Sequence, residues 1–340
     1  MQRIAIDVMG SDFGVGEVVR GATAVSMEPE NQIQMLLVGD AKKIHQALMG
    51  HVYHPRFIEI VHAPDFIEQS EKAKTALQRE GLSISIAAQL VQDQRADALV
   101  SAGNTGGVIL ASSNIFERIK GVRRVGFAAV LPTEKKRGRR KDPFALLMDV
   151  GATLHVEAAD LYNFALMGSL YASIVSSNEK PSIALLSNGS ESEKGPSEVV
   201  ETHSRLENNP HGLNFIGNVE GLDIPRGVAD IIICEGFLGN VVLKLLEGIT
   251  ELAADLAKEA YDSKLLWKLG LTMLSKDLQK LKRLTDWKQY GGAPILGFNK
   301  VVIKAHGRSN ARAIRNAIKL ASKVHEGHLI EQIQSQMERT

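Results

Sequence analysis

The amino-acid sequence predicts an α/β fold, a mainly parallel sheet doubly wound with helices on both faces, and two observations carry that reading. Short apolar runs of β character alternate with longer stretches of 3.6-residue periodicity, the pattern of βαβ units whose strands are buried on both faces. Most of these runs also pass into a short glycine-containing loop before the next helix.

In chain order, RIAIDVM (3–9) leads into GSDFG (10–14), and MLLVG (35–39) into a helical stretch. ALV (98–100) leads into AGNTGG (102–107), FALLMDV (144–150) into GAT (151–153) and SIALL (182–186) into NGSESEKG (188–195). DIIIC (230–234) then leads into EGFLGN (235–240) and KVVIK (300–304) into HGRSN (306–310). In a parallel sheet such loops share the carboxyl edge, where ligands of these folds collect. That edge is the expected active site. KKRGRRK, residues 135–141, follows Pro132 and Thr133 and reads as a solvated hairpin tip between a strand ending near Leu131 and the strand from Phe144.

At 340 residues and 44% hydrophobic, the chain can bury a large core as a single α/β domain over 1–340 or as two intimately joined lobes. A formal charge of +1, from 40 basic and 39 acidic residues, gives no global electrostatic case for nucleic acid. The single cysteine, Cys234, excludes an internal disulfide framework, and the opening run carries Asp7 where a leader would be apolar. These features favour the cytoplasm. No stretch approaches the apolar length of a membrane-spanning helix.

One motif occurs twice. ADALVSAGNTGGVIL (96–110) returns as ADIIICEGFLGNVVL (229–243), with Ala96, Asp97, Gly103, Gly106, Val108 and Leu110 matched by Ala229, Asp230, Gly236, Gly239, Val241 and Leu243. Each copy reads as a buried strand, a G-x-x-G turn and a helix opening at Gly107 or Asn240, where backbone N–H groups and the helix dipole favour an anion. Two such turns could hold two anionic groups, or they could simply permit tight strand-to-helix packing.

No cofactor fingerprint fits: neither G-x-G-x-x-G nor G-x-x-x-x-G-K-[ST] is present, and the histidines form no H-E-x-x-H. No cofactor and no metal are therefore expected. There is no G-x-S-x-G elbow, and Cys234 ends an isoleucine run, as a buried strand cysteine would. Asp7, Asp149 and Glu235 sit at or just past strand ends, while Lys194, Lys304 and His306 can supply positive charge or a proton. Together with the anion-friendly turns these suggest a reaction with phosphate. If phosphate is the attacking group, the protein needs no nucleophile of its own; it must position the anion and stabilise an oxyanion.

IAIDVMGSDFG, SAGNTGG, LMDVGA, IGNVEGLDI, CEGFLGNVVLK, and YGGAPILG followed by VVIKAHGRSNARAI, occur in unbroken order from Ile4 to Ile318. In these motifs the chain resembles the bacterial acyl-carrier-protein:phosphate acyltransferases of phospholipid synthesis. The resemblance implies a Rossmann-like α/β/α sandwich related to phosphotransacetylases and isocitrate-type dehydrogenases. It implies transfer of a fatty acyl group from acyl carrier protein to inorganic phosphate, giving acyl phosphate for a downstream glycerol-3-phosphate acyltransferase. Carried over by position, Lys194, Asn240 and His306 become the catalytic neighbourhood: Lys194 and His306 for phosphate and the thioester oxygen, Asn240 for the oxyanion. Asp7, Gly103, Asn104, Thr105, Gly106, Asp149, Glu235 and Gly239 become pocket-shaping or phosphate-positioning residues. The chain departs from the family pattern at Ser11, usually a second glycine, at Glu235, usually aspartate, and in the loop SNGSESEKGP. Other chemistries hosted by this fold are the rivals: a phosphotransacetylase using acyl-CoA, an NAD-dependent dehydrogenase, or a non-enzymatic module that docks carrier protein.

Beyond Asn240, Val242, Leu245, Leu246, Ile249, Leu252 and Leu256 form a stripe expected to be buried. Around KLLWKLGLTML (264–274) apolar residues cover most of the circumference, and Trp267, Leu271, Leu274, Leu278 and Leu281 continue as a seam suited to another helix. Residues 241–290 thus read as a helical hairpin that pairs in a homodimer, with a tip, Lys264–Leu274, suited to peripheral contact with the inner face of the membrane. The alternative is that the same residues only fill a dimer core. The Lys135–Lys141 loop could steer the acidic carrier protein.

Overall fold

The computed structural model describes residues 1–137, 142–208, 211–263 and 291–338. One sheet of eleven strands runs through it, in the order β3-β2-β1-β4-β11-β10-β5-β6-β9-β7-β8. The strands are β1 Gln2–Asp7, β2 Ile33–Gly39, β3 Ile58–His62, β4 Ala98–Ser101, β5 Gly126–Arg137, β6 Asp142–Met148, β7 Ser182–Leu186, β8 Asn214–Val219, β9 Ile231–Ile233, β10 Ala293–Leu296 and β11 Val301–Lys304. Every apolar run singled out in the sequence is a strand. The parallel pairs β3-β2-β1-β4-β11 form one half, and β6-β9-β7-β8 form the other.

The two halves meet through three antiparallel pairings, β11-β10, β10-β5 and β5-β6. Three reversals leave the halves running in opposite senses. This corrects the expectation of one shared carboxyl edge. The loops after β1, β4 and β11 gather at one end of the sheet, and those after β6, β7 and β9 at the other.

Alternation along β1 shows the layering. Ile4 and Ile6 enter a core with Val18 and Val19 of α1 (Gly14–Ser26) and Ile314 and Ile318 of the late helix Ala311–Glu326. Ala5 faces the other way, towards Ile84 of α4 (Ser83–Gln92) and Val108 of α5 (Thr105–Ile115). With side chains pointing to opposite faces at successive residues, both faces of the strand are buried, as a doubly wound sheet demands. The remaining helices are α2 Ala41–Leu48, α3 Ala73–Ala76, α6 Ala158–Ser176, α7 Ser197–Asn208, α8 Asp223–Arg226 and α9 Gly236–Ser263. Ala311–Glu326 is α10 and Leu329–Met337 is α11.

The β5-β6 hairpin forms, but β5 continues to Arg137, which pairs with Asp142. The basic run therefore begins within the strand, and residues 138–141 lie outside the described residues. So does 264–290, where the tip and most of the second arm of the hairpin were expected.

Helix α9 is unlike the others. Its 28 residues span ~42 Å at 1.5 Å per residue, and only its first turns pack on the sheet, through Val242, Leu243 and Leu246. Leu245, Ile249, Leu252 and Leu256 are 54–61% exposed. Of the stripe expected to be buried, Val242 and Leu246 are covered by the sheet and the other four are exposed in the single chain, because α9 runs past the sheet that would cover them.

Candidate active site

The doubled motif proves to be the same device at both ends of the sheet. In the first half Asp7, at the end of β1, stands in register with Ser101 of β4. Its carboxylate is buried and accepts from Ser83 Oγ at 2.7 Å, Ser101 Oγ at 2.7 Å and Met9 N at 3.2 Å. In the second half Asp149, just past β6, lies beside Cys234, just past β9, with Asp149 N donating to Cys234 O at 2.9 Å. Asp149 Oδ1 accepts from Phe127 N, Gly151 N and Ala152 N at 2.9–3.1 Å, and Oδ2 from Thr153 N at 2.8 Å and Thr153 Oγ1 at 2.9 Å.

The glycine that follows each strand passes directly over that carboxylate. A Cβ on Gly103 would lie 3.2 Å from Asp7 Oδ2, and one on Gly236 only 2.6 Å from Asp149 Oδ2. The second glycine of the later copy is tighter still, with a Cβ on Gly239 falling 1.8 Å from the Asp149 carbonyl oxygen. The repeated glycines let a loop close on a buried aspartate, and that close approach sets where the following helix begins.

Those helices open earlier than expected, at Thr105 and at Gly236 rather than at Gly107 and Asn240. The protein itself fills much of the anion-binding capacity of their first turns. Glu235 accepts from Phe237 N at 3.0 Å and Leu238 N at 2.9 Å, so a carboxylate already caps α9. Asn104 Oδ1 accepts from Gly107 N at 2.9 Å, and its amide donates to the carbonyls of Gln69 and Glu71 at 2.9 and 3.2 Å. Asp7, Asn104, Asp149 and Glu235 thus have polar atoms engaged within the chain and shape these loops, the first of the two roles expected of them. Thr105, Gly106 and Gly239 belong to the same turns.

The loop after β11 joins this construction from the first half. Ser11 Oγ donates to Gly307 O at 3.2 Å, and Asp12 N donates to the same carbonyl at 3.0 Å. Gln69 Nε2 ties the β1 and β4 loops together through Gly10 O at 2.7 Å and Ala102 O at 3.0 Å. Lys304 is in register with Ser101, which is in register with Asp7. This row puts a buried lysine and a buried aspartate on strands flanking one serine. Burial brings Lys304 down to about 8, against the charges of Asp7 and Asp12, and pushes Asp7 up to about 6.

Helix α9 links the two ends of the sheet. Asn240, beside Gly151 at its start, is followed on one face by Lys244, Glu247 and Glu251, at helical spacings of four, three and four. From Asn240 to Glu247 the helix rises ~10 Å, comparable with the ~13 Å length of a four-residue strand. Glu247 Oε1 thereby reaches His306 Nε2 at 3.8 Å, and Glu251 Oε1 reaches Arg308 Nη1 at 3.1 Å. The face of α9 that begins at Asn240 so reaches His306 through Glu247, although the loops that carry Asn240 and His306 leave opposite ends of the sheet. Burial lowers the proton affinity of His306, and Lys304, Lys244 and Arg308 lower it further against Glu247.

Lys194 is not part of that arrangement. It is exposed in the β7-α7 loop, its carbonyl accepting from Ser187 Oγ at 3.0 Å, and has no contact with Asn240 or His306 among the described residues. The adjoining Gly195 and Pro196 instead border a groove of about 880 Å³, whose lining is mainly apolar and includes Leu161, Leu186, Val199, Cys234, Leu238 and Val242. Cys234 is its buried cysteine, with burial raising the thiol well above its ordinary range. Sequence reasoning missed Lys244, Glu247 and Arg308. The first two could have been found from their spacing after Asn240.

The family model described as "Fatty acid synthesis protein" matches residues 2–332. A phosphate acyltransferase of Dictyoglomus turgidum is 39% identical over 324 residues, covering 95% of this chain and 94% of its own. One from Desulfitobacterium hafniense is 40% identical over 340 residues, covering 99% and 98%. Among solved structures, a phosphotransacetylase from Streptococcus pyogenes superposes with a TM-score of 0.61 at 17% identity, covering 95% of this chain and 94% of that one; at that identity the likeness concerns the fold. A Rossmann-like sandwich of this kind, matched along nearly its whole length by acyltransferases at such identity, belongs to the phosphate acyltransferase family of fatty acid synthesis proteins.

Proposed function

We propose that the chain transfers a fatty acyl group from the thioester of acyl carrier protein to inorganic phosphate, making acyl phosphate for a glycerol-3-phosphate acyltransferase. A phosphate oxygen adds to the thioester carbonyl, the C–S bond breaks, and the carrier thiolate leaves and takes up a proton. The observation that carries this reading is the polar face of α9, which runs from Asn240 to the Glu247 carboxylate beside His306, with an apolar groove at the helix foot. His306 orients phosphate, Asn240 donates to the oxyanion, and the groove takes the acyl chain. Asp7 and Asp149 hold the loops in place. Lys194, at the groove rim, serves the thioester or its carrier rather than the phosphate.

The exposed stripe Leu245, Ile249, Leu252 and Leu256 supports pairing of α9 in a homodimer, since an apolar surface of that continuity marks an interaction site. No helix among the described residues is long and apolar enough to cross a membrane. Cytoplasmic protein would approach the inner face of the membrane through Lys264–Leu274, and the basic Lys135–Lys141 run would attract the acidic carrier.

The test is acyl phosphate formation by purified protein, read by hydroxylamine trapping, with acyl carrier protein and acyl-CoA as parallel donors. Phosphate-dependent hydroxamate from the carrier donor is the expected result. Product from acyl-CoA alone would replace the proposed donor, and no product from either would overturn the reading.

A further inference from the structure

We propose that inorganic phosphate binds between Lys244 of α9 and His306 of the β11 loop, in the position where the Glu247 carboxylate now bridges them. This rests on the phosphate acyltransfer reading and names the residues that hold its acceptor. Lys244 Nζ lies 2.7 Å from Glu247 Oε2, and His306 Nε2 lies 3.8 Å from Glu247 Oε1. One carboxylate thus spans an ammonium and an imidazole, as two oxygens of a phosphate would.

The histidine is set to donate there. Arg308 N donates to His306 Nδ1 at 3.1 Å, so the neutral ring carries its proton on Nε2, the atom turned towards Glu247. The same bond opposes the imidazolium, in keeping with the lowered proton affinity of the ring. Nε2–H and the Lys244 ammonium are then two convergent donors, with the Lys304 charge behind them. Arg308 is the other charge acting on the ring; it pairs with Glu251, and Asp7 and Asp12 act on Lys304. Lys244 and Glu247 are partly exposed, with side chains 60% and 33% accessible, so an incoming anion can reach and displace the carboxylate.

Glu247 therefore competes with phosphate, and removing its charge should tighten binding. The experiment compares Glu247→Gln and Lys244→Met with the parent chain, measuring the KM for phosphate, the KM for acyl donor, and calorimetric binding of inorganic phosphate alone. The expected pattern is opposite in sign: phosphate KM and Kd several-fold lower in Glu247→Gln and about tenfold or more higher in Lys244→Met, the loss of a charge-assisted bond, with donor KM unmoved. Unchanged phosphate constants in both variants, or weaker phosphate binding in Glu247→Gln, would overturn the assignment. Calorimetry separates the two readings. Phosphate binding that responds in this way in a protein making no acyl phosphate would uphold the site and defeat the reaction, whereas normal turnover with unresponsive phosphate constants would do the reverse.

Discussion

Replacing Asp149 by asparagine changes one oxygen of a fully buried carboxylate into an amide, and the structure fixes what that costs. Oδ1 accepts from three main-chain N–H groups, and Oδ2 from the main chain and hydroxyl of Thr153. The amide oxygen best takes the Oδ1 position, which turns its NH2 towards Thr153. The Thr153 hydroxyl can rotate to accept, but Thr153 N cannot, so a buried donor faces a donor. An orphaned buried donor costs ~1–3 kcal/mol, and because burial raises the Asp149 carboxyl above its ordinary range, losing its charge adds no further cost. At ~2.1 cal/mol/K per residue, a chain of 340 residues loses ~1.4 °C per kcal/mol, so the melting temperature should fall by ~1–4 °C. Because this loop holds Gly236 and Gly239 against Asp149 at the start of α9, kcat should fall as well. Calorimetric melting and steady-state rates check both. A variant that melts with the parent and turns over at the parent rate would refute the view that Asp149 organises the loop.

Gly239→Ala must move backbone, since its Cβ would lie 1.8 Å from Asp149 O; a loss of ~3 kcal/mol or more is expected, whereas Gly248→Ala, with nothing within 4 Å, should gain ~0.5–1 kcal/mol, and paired thermal melts test the contrast. Lys304 has a folded proton affinity below its ordinary value, so between pH 8 and about 10 the unfolded chain binds the proton that the folded chain does not, and the stability contribution rises with pH by up to ~3 kcal/mol. Subtracting the stability profile of Lys304→Met from that of the parent should reveal that rise, and a flat difference would show the lysine to be solvated. Asp7 acts in the opposite direction: its contribution falls as pH rises from about 4 to about 6, and Asp7→Asn should remove that fall. Val199→Phe narrows the groove beside Pro196, and should raise KM for long acyl donors more than for short ones in a chain-length series.

Seven strands and the end of β5 were legible from their apolar runs, whereas β3, β8 and β10 were not singled out, and Asp7 at the end of β1 and Asp149 just past β6 marked their loops. The sense of the second half was not legible. It is fixed by β10 and β5, whose short or polar-ended sequences carry no sign of which neighbour they will meet. That reversal explains why Lys194 and His306, both in loops after strands, do not converge as a single parallel sheet would require. Leu245, Ile249, Leu252 and Leu256 show a related limit: periodicity gives the face of a helix but not whether anything covers it. Glu247 was passed over because a glutamate on an exposed helix face carries no local mark of use; only the arrival of His306 from the other half gives it a role.

The central claim is that phosphate attacks the thioester directly, and a rapid-quench single turnover with protein in excess over acylated carrier tests it most directly. Intact-mass measurement of the protein and trapping of the product would be followed together. Direct transfer predicts acyl phosphate appearing as carrier thioester disappears, with no protein carrying an acyl group at any time. A transient protein species heavier by one acyl chain, formed before acyl phosphate and decaying into it, would contradict direct attack.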